Sequence, residues 1–165
     1  MDINSIIKRK DLLRNQAYVA GKWVNADSNK TFVVTNPANQ DVVATLPDLS
    51  VSDTKTAIVS AHEAFGPWSA KTANDRARIL QKWFQLQLAH ADDLAVILTI
   101  EQGKPLAEAK GEIKYGASFV EWFAEEAKRV YGDVIPSTMK STRIITLKQP
   151  VGVVAAITHG TSPMR

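Results

Sequence analysis

The side chains best able to do chemistry are few and scattered. His62, His90 and His159 share no spacing that would bring them onto one metal ion, so no metal site is expected, and His90, ahead of Ala-Asp-Asp, reads as a solvated helix end. Glu121, Glu125 and Glu126 read as the solvated face of a helix rather than a general acid and base. The chain has no cysteine, which removes disulfides, thiolate-bound zinc and a cysteine nucleophile together. No catalytic residue is therefore assigned. The suggestive stretch is VAAITHGTSPMR, in which Val154 to Thr158 look like a buried strand delivering its end to a ligand. Gly152 lies inside that strand and Gly160 has no helix after it, so neither builds a phosphate-cradling loop.

Such a strand end works only if a folded body holds it. At 165 residues and 45% hydrophobic content the chain can bury one core, and its 22% charged content is that of an ordinary soluble protein. Twenty basic side chains against 17 acidic ones give a net charge of +3 with no dense basic block, which argues against a nucleic-acid partner. The opening MDINSIIKRKDLL lacks the apolar centre of a signal peptide, and no stretch approaches the length of a membrane span. A cytoplasmic protein with no membrane partner is expected.

The hydrophobic period changes along the chain. AYVAGKWV predicts a short hairpin turning at Ala20-Gly21, with Gly21 at the unusual backbone angle. Phe32 to Thr35 and Val42 to Thr45 predict two more strands around the turn residues Asn36, Pro37 and Asn39. Ser52 is expected to cap a helix that buries Ile58, Ala61 and Phe65 and stops at Gly66-Pro67. Thr72 with Asp75 predicts the start of a second helix carrying Ile79, Leu80, Trp83, Phe84, Leu86 and Leu88. A third is expected from about Ala91 to Gln102, stopped by Gly103.

Pro105 and Gly132 bracket a predicted fourth helix with one stripe of Leu106, Ala109, Ile113, Gly116, Val120, Phe123, Ala127 and Val130, about 39 Å long at 1.5 Å per residue. STRIITLKQ then predicts a strand that Pro150 breaks, and VGVVAAIT a strand covered on both faces. No repeat, linker or boundary between independently folding domains is visible.

The run EQGKPLAEAKGEIKYGASFVEWFAEEAKRVYGDVIP, Glu101 to Pro136, resembles the aldehyde dehydrogenase superfamily, and within it the succinate-semialdehyde dehydrogenases. GKWV at Gly21, VTNPANQDVVATLP at Val34, the Trp68 region and KQPVGVVAAIT at Lys148 extend the resemblance in order up to Thr158. It implies an α/β chain forming the N-terminal part of that fold: N-terminal strands, a helical segment with one long helix, and the first strand of an incomplete Rossmann-like sheet. Residues 1–136 would belong to the cofactor-binding domain, 137–150 to a strand of the oligomerisation arm, 151–158 to the first strand of the dinucleotide sheet, and 159–165 to an aberrant tail. Ile157 and Thr158 would pass beside the NAD or NADP cofactor.

The resemblance also implies the reaction. A cysteine thiolate attacks the aldehyde, hydride leaves for the nicotinamide, and a glutamate-activated water releases the acid. The oxyanion is held by the cysteine's amide and by the asparagine of a Pro-Trp-Asn-Phe-Pro segment directly after that first strand. Here HGTSPMR follows instead, with Gly160 at the tryptophan position and Thr161 at the asparagine position.

Codons account for this tail. TGG AAC TTC CCN read one base late is GGA ACT TCC, Gly160 to Ser162, with Pro163 next, and loss of one base from CCA TGG supplies the CAT of His159. A following Asn-Ala-Met-Ile in the same shifted frame gives Met164, Arg165 and a stop. The expectation is one base lost from a succinate-semialdehyde dehydrogenase reading frame, either by a deletion in the gene or by a sequencing error in an intact one, and a chain without its nucleophile that is inactive. Alternatives are a fragment of a dehydrogenase for another aldehyde, such as glutarate semialdehyde, or a non-catalytic module pairing with intact subunits of a homo-oligomeric parent. Full burial of Leu106, Ile113, Val120, Phe123 and Val130 would contribute about 8–15 kcal/mol, comparable to a whole domain's stability, so the chain is expected to be poorly soluble without covering surface.

Overall fold

The structure, a computed structural model, describes residues 5–157. A one-turn 3-10 helix at Lys10–Leu12 precedes two antiparallel hairpins: β1 (Ala17–Val19) with β2 (Lys22–Val24), and β3 (Thr31–Thr35) with β4 (Val42–Pro47). The first turns at the predicted Ala20-Gly21, and both residues have positive φ, +52° and +77°, the pair of left-handed residues that a two-residue turn demands. Tyr18 faces Trp23 across it with ring centroids 5.0 Å apart. In the second hairpin the register slips between Val34 and Thr35, and Asn36 Oδ1 accepts from the Ala38 amide at 2.9 Å to close the turn.

Four helices follow: α1 (Val51–Ser69), α2 (Ala73–Ala89), α3 (Ala91–Gln102) and α4 (Leu106–Glu126). The cap of α1 is Ser50, not Ser52. Ser50 Oγ accepts from the Asp53 amide while Asp53 accepts from the Ser50 amide at 2.7 Å, a reciprocal pair that Ser52, with Lys55 three residues on, has no carboxylate to build. The predicted stop at Gly66-Pro67 is also corrected. The helix runs on to Ser69, because proline forfeits only its own amide bond, and Ala70 N–H donates to Gly66 O to close the last turn. Ile58 and Ala61, expected inside, are exposed; the β1–β2 hairpin stands opposite Ala61 across an open cleft and does not close on it. The second helix starts as predicted, with Thr72 Oγ1 accepting from the Asp75 amide.

The core lies among α2, α3 and α4. Ala95 and Leu98 of α3 meet Ala109 and Ile113 of α4, all four fully buried. On the other side of α3, Ile97 packs with Ile7, against Leu12, Leu13 and Val43. Asp93 pins the N-terminal segment there, accepting from the Lys8 and Arg9 amides at 3.1 and 2.9 Å. The inward line of α2 is Ala77, Leu80, Phe84 and Gln87, while Ile79, Trp83, Leu86 and Leu88 of its expected apolar content are exposed.

Two expectations for α4 change. It has 21 residues, about 32 Å, and ends at Glu126 rather than running to Gly132. The Lys128 and Arg129 amides bond back three residues to Glu125 and Glu126, a tightened final turn, and the β-prone pair Val130-Tyr131 beyond it has no face to pack on. Its buried line is Ala109, Ile113, Ala117 and Ala124, so the stripe rotates away from Phe123, which is exposed together with Phe119 and Trp122. Small residues let α4 lie close on α2 and α3; a Phe123 stripe would hold them apart.

After α4, β5 (Val134–Ile135) pairs with β6 (Ile144–Ile145) in a small antiparallel hairpin whose loop is 136–143. Gly132 serves this hairpin and not a helix end: a Cβ there would lie 2.0 Å from Thr146 O. The strand expected at VGVVAAIT is absent from 151–157, which form no ladder; Val151, Val154 and Ile157 are exposed, since no described strand lies beside them.

Candidate functional site

The family-like motif EQGKP forms the corner between α3 and α4. Gly103 adopts φ +74° and its amide donates to Thr99 O at 2.8 Å, the left-handed stop predicted for it. A Cβ on Gly103 would stand 3.0 Å from Pro37 Cγ, so glycine also admits the Asn36-Pro37 turn of the β3–β4 hairpin. Pro105 then starts α4 as its N-cap residue. Lys104 Nζ pairs with Glu112 one layer up, both largely shielded, and Lys110 Nζ pairs with Asp92 Oδ1 at 2.7 Å on the same pair of helices. The motif is thus a brace that fixes the α3–α4 hairpin and docks it on the second β-hairpin.

An open cleft of about 520 Å³ lies at this corner, bounded by Thr35, Gln40, Glu101, Lys104 and Glu108. Burial pushes the Glu101 carboxyl above its ordinary range. Thr35, Gln40, Lys104 and Glu108 supply further polar side chains to the cleft. Sequence reasoning treated Glu101, Lys104 and Glu112 only as letters of a motif. Their roles depend on the sharp corner, which places residues eight apart in contact.

The carboxylates of α4 have separate partners. Glu125 accepts from Gln81 of α2 at 2.8 Å and pairs with Lys128, which hold its carboxyl below the usual range. It therefore faces α2 and is not part of a purely solvated face. Glu126 pairs with Arg129 at 2.6 Å, and Glu121 is exposed. His90 joins α2 to α3, where Arg9 Nη1 donates to its Nε2 at 3.0 Å; His62 stands on α1, and His159 lies outside the described residues. Among the described residues no group of three or more His, Cys, Asp or Glu comes together as a metal site, and no helix is long and apolar enough to cross a membrane.

Of the two residues expected beside the cofactor, Ile157 is fully exposed and Thr158 lies outside the described residues. Among the described residues no strand flanks 151–157.

Relatives share this architecture. The chain is 53% identical over 157 residues to a 3-sulfolactaldehyde dehydrogenase of Pseudomonas putida, covering 95% of this chain and 32% of that protein. It is 52% identical over 153 residues to the NADP-dependent succinate-semialdehyde dehydrogenase of Escherichia coli K12, covering 93% and 32%. The crystal structure of succinate-semialdehyde dehydrogenase from Burkholderia pseudomallei superimposes with a TM-score of 0.86 at 53% identity, over 88% of this chain and 30% of that one. The chain thus spans about a third of the length of these relatives and matches the N-terminal part of the solved structure. The model of the aldehyde dehydrogenase family matches residues 23–163, which include the β3–β4 hairpin, the braced α3–α4 corner and the 151–157 segment, and the chain belongs to that family.

Proposed function

We propose that this chain is the N-terminal third of a cytoplasmic, homo-oligomeric dehydrogenase that oxidises succinate semialdehyde, or a close semialdehyde, to its acid with NAD or NADP. The observation carrying this reading is the near-identical level of similarity, 52–53%, to semialdehyde and sulfolactaldehyde enzymes across almost the whole chain. These substrates share a short aldehyde with an acidic group at its far end. Glutarate semialdehyde fits the same description, and similarity over this third does not separate the three. In this reading residues 1–136 belong to the cofactor-binding domain, 137–150 to the oligomerisation arm and 151–158 to the dinucleotide sheet, with Ile157 and Thr158 beside the cofactor. When bound, the cofactor accepts hydride from the substrate. This chain contributes the braced scaffold under that site and no nucleophile.

These 165 residues contain no cysteine and are accordingly expected to turn over no aldehyde on their own, and the run from His159 reads as a one-base shift of the family segment. Two measurements test this. Purified chain incubated with succinate semialdehyde and either nicotinamide cofactor is expected to form no NADH or NADPH; turnover above buffer refutes the inactivity. The nucleotides after the Arg165 codon are expected to encode, in a neighbouring frame, a dehydrogenase with its cysteine and glutamate. Unrelated DNA there defeats the deletion account.

A further inference from the structure

The segment 7–13 is fastened to α3 by three kinds of contact. Ile7 is buried with Ile97, and Leu12, Leu13 and Val43 pack beside them. The Asp93 carboxylate, itself buried, accepts from the Lys8 amide through Oδ1 and from the Arg9 amide through Oδ2. The Arg9 guanidinium completes the junction. Its Nε and Nη2 donate to the two oxygens of Asp11 at 2.7 and 2.6 Å, and its Nη1 lies 3.0 Å from His90 Nε2, between α2 and α3.

A guanidinium has donors and no acceptor, so this last bond fixes the state of the ring: Nε2 presents its lone pair, and the proton of the neutral imidazole sits on Nδ1. A second proton turns Nε2 into a donor. The bond is then lost and two cations face each other across it. Asp11 grips Arg9 on both Nε and Nη2, which keeps Nη1 aimed at the ring. The carboxylates at the junction are each committed. Asp11 holds Arg9, Asp93 holds two amides, and Asp92 pairs with Lys110 of α4 while the charges of Lys8 and Lys114 also act on it. With Arg14 acting on Asp11, the cations Lys8, Arg9, Arg14, Lys110 and Lys114 already outnumber the anions Asp11, Asp92 and Asp93. A charged His90 adds to that excess.

We propose that residues 7–13 form a pH-released latch on α3 with His90 as its sensor, docked while the ring is neutral and undocked as pH falls through the range in which imidazoles take up a proton, about 5 to 8. The sign follows from the bond. Docking is complete at the alkaline end of that range and is lost toward the acid end. Asp11, held down to about 2 by the hydrogen bonds from Arg9, stays charged throughout and keeps the guanidinium in place. The core of Ala95, Leu98, Ala109 and Ile113 lies on the other side of α3, so release is local. The latch does not rest on the dehydrogenase reading.

The test is hydrogen–deuterium exchange of the full 165-residue chain, read by mass spectrometry and corrected for the intrinsic effect of pH on exchange. Between about pH 7.5 and about pH 5.5 the peptide spanning 7–13 is expected to lose protection about tenfold or more, while peptides of α3 and α4 keep theirs. His90→Gln sets an acceptor that does not titrate against Arg9, and the segment is expected to stay protected at both values. His90→Lys sets a permanent cation there and releases the segment at both. Arg9→Gln removes the opposing charge and likewise abolishes the pH dependence; it stands in for any His90 variant whose α3 and α4 peptides lose protection at about pH 7.5. Equal protection of 7–13 at both values in the parent, a loss shared by α3 and α4, a pH dependence that survives in His90→Gln or Arg9→Gln, or a segment still protected in His90→Lys would each overturn the proposal.

Discussion

The layer of α2, α3 and α4 and the stretch from 128 to 157 have similar shares of apolar side chains and opposite fates. In the helices, Leu98, Ile113, Ala95 and Ala109 vanish from solvent because each helix carries both a face and a partner for it. In the later stretch Val130, Val134, Ile145, Leu147, Val151 and Val154 remain exposed although they are as hydrophobic and more β-prone. Helical hydrogen bonds are local, so a helix forms and then seeks a face. A strand's hydrogen bonds belong to its neighbour, and without the neighbour neither ladder nor core exists. Apolar content predicts burial only where the covering element is also present.

Substitutions sharpen this contrast. The largest effect is expected for Ile113→Ala, where a fully buried side chain is truncated: about 2–5 kcal/mol lost in denaturant unfolding, against less than about 0.5 kcal/mol for Val154→Ala. Equal losses would mean that 151–157 are buried in solution. Next is Gly103→Ala, which forces a side chain into left-handed backbone against Pro37, at about 1–2 kcal/mol, read in the same unfolding curves. Ser50→Ala removes the reciprocal cap of α1 and is expected to cost about 1 kcal/mol, with loss of amide-exchange protection confined to the first turn of that helix.

The smaller effects depend on pH. Burial raises the Glu101 carboxyl, so its folded-state value lies above the ordinary 4.5; the resulting penalty is absent below that value and complete once pH exceeds the folded value. Glu101→Gln is expected to raise the melting temperature at neutral pH and to leave it unchanged near pH 3. A gain that persists in acid would assign the effect to packing. Asp11 has the opposite sign. Its hydrogen bonds from Arg9 lower it to about 2, so any stabilisation is present above the ordinary 3.8 and lost as pH falls toward 2. The pair is exposed, and Asp11→Asn is expected to change the neutral-pH melting temperature least of all, with added salt erasing the difference.

Much was legible in advance where the cause is local. The Ala20-Gly21 turn, the Thr72 start of α2, the Gly103 stop of α3 and the EQGKP motif are each written in two to five neighbouring residues. The readings that failed needed knowledge of a partner. Pro67 reads as a stop until the turn after it is seen to close, and Phe123 reads as core until Ala117 and Ala124 are found to take the contact. Gly132 reads as a helix end until Thr146 O is found where its Cβ would be. The candidate site divides in the same way. Its family resemblance is carried by the chain's own residues, whereas the Glu101 cleft and the Lys104–Glu112 brace required the corner to be built.

By itself the order of residues determined the turns, the caps, the helical segments and the family, because these follow from backbone preferences and side chains a few positions apart. Tertiary structure alone decided which face of each helix is core. Burial is a property of two surfaces, and one of them is always distant in sequence.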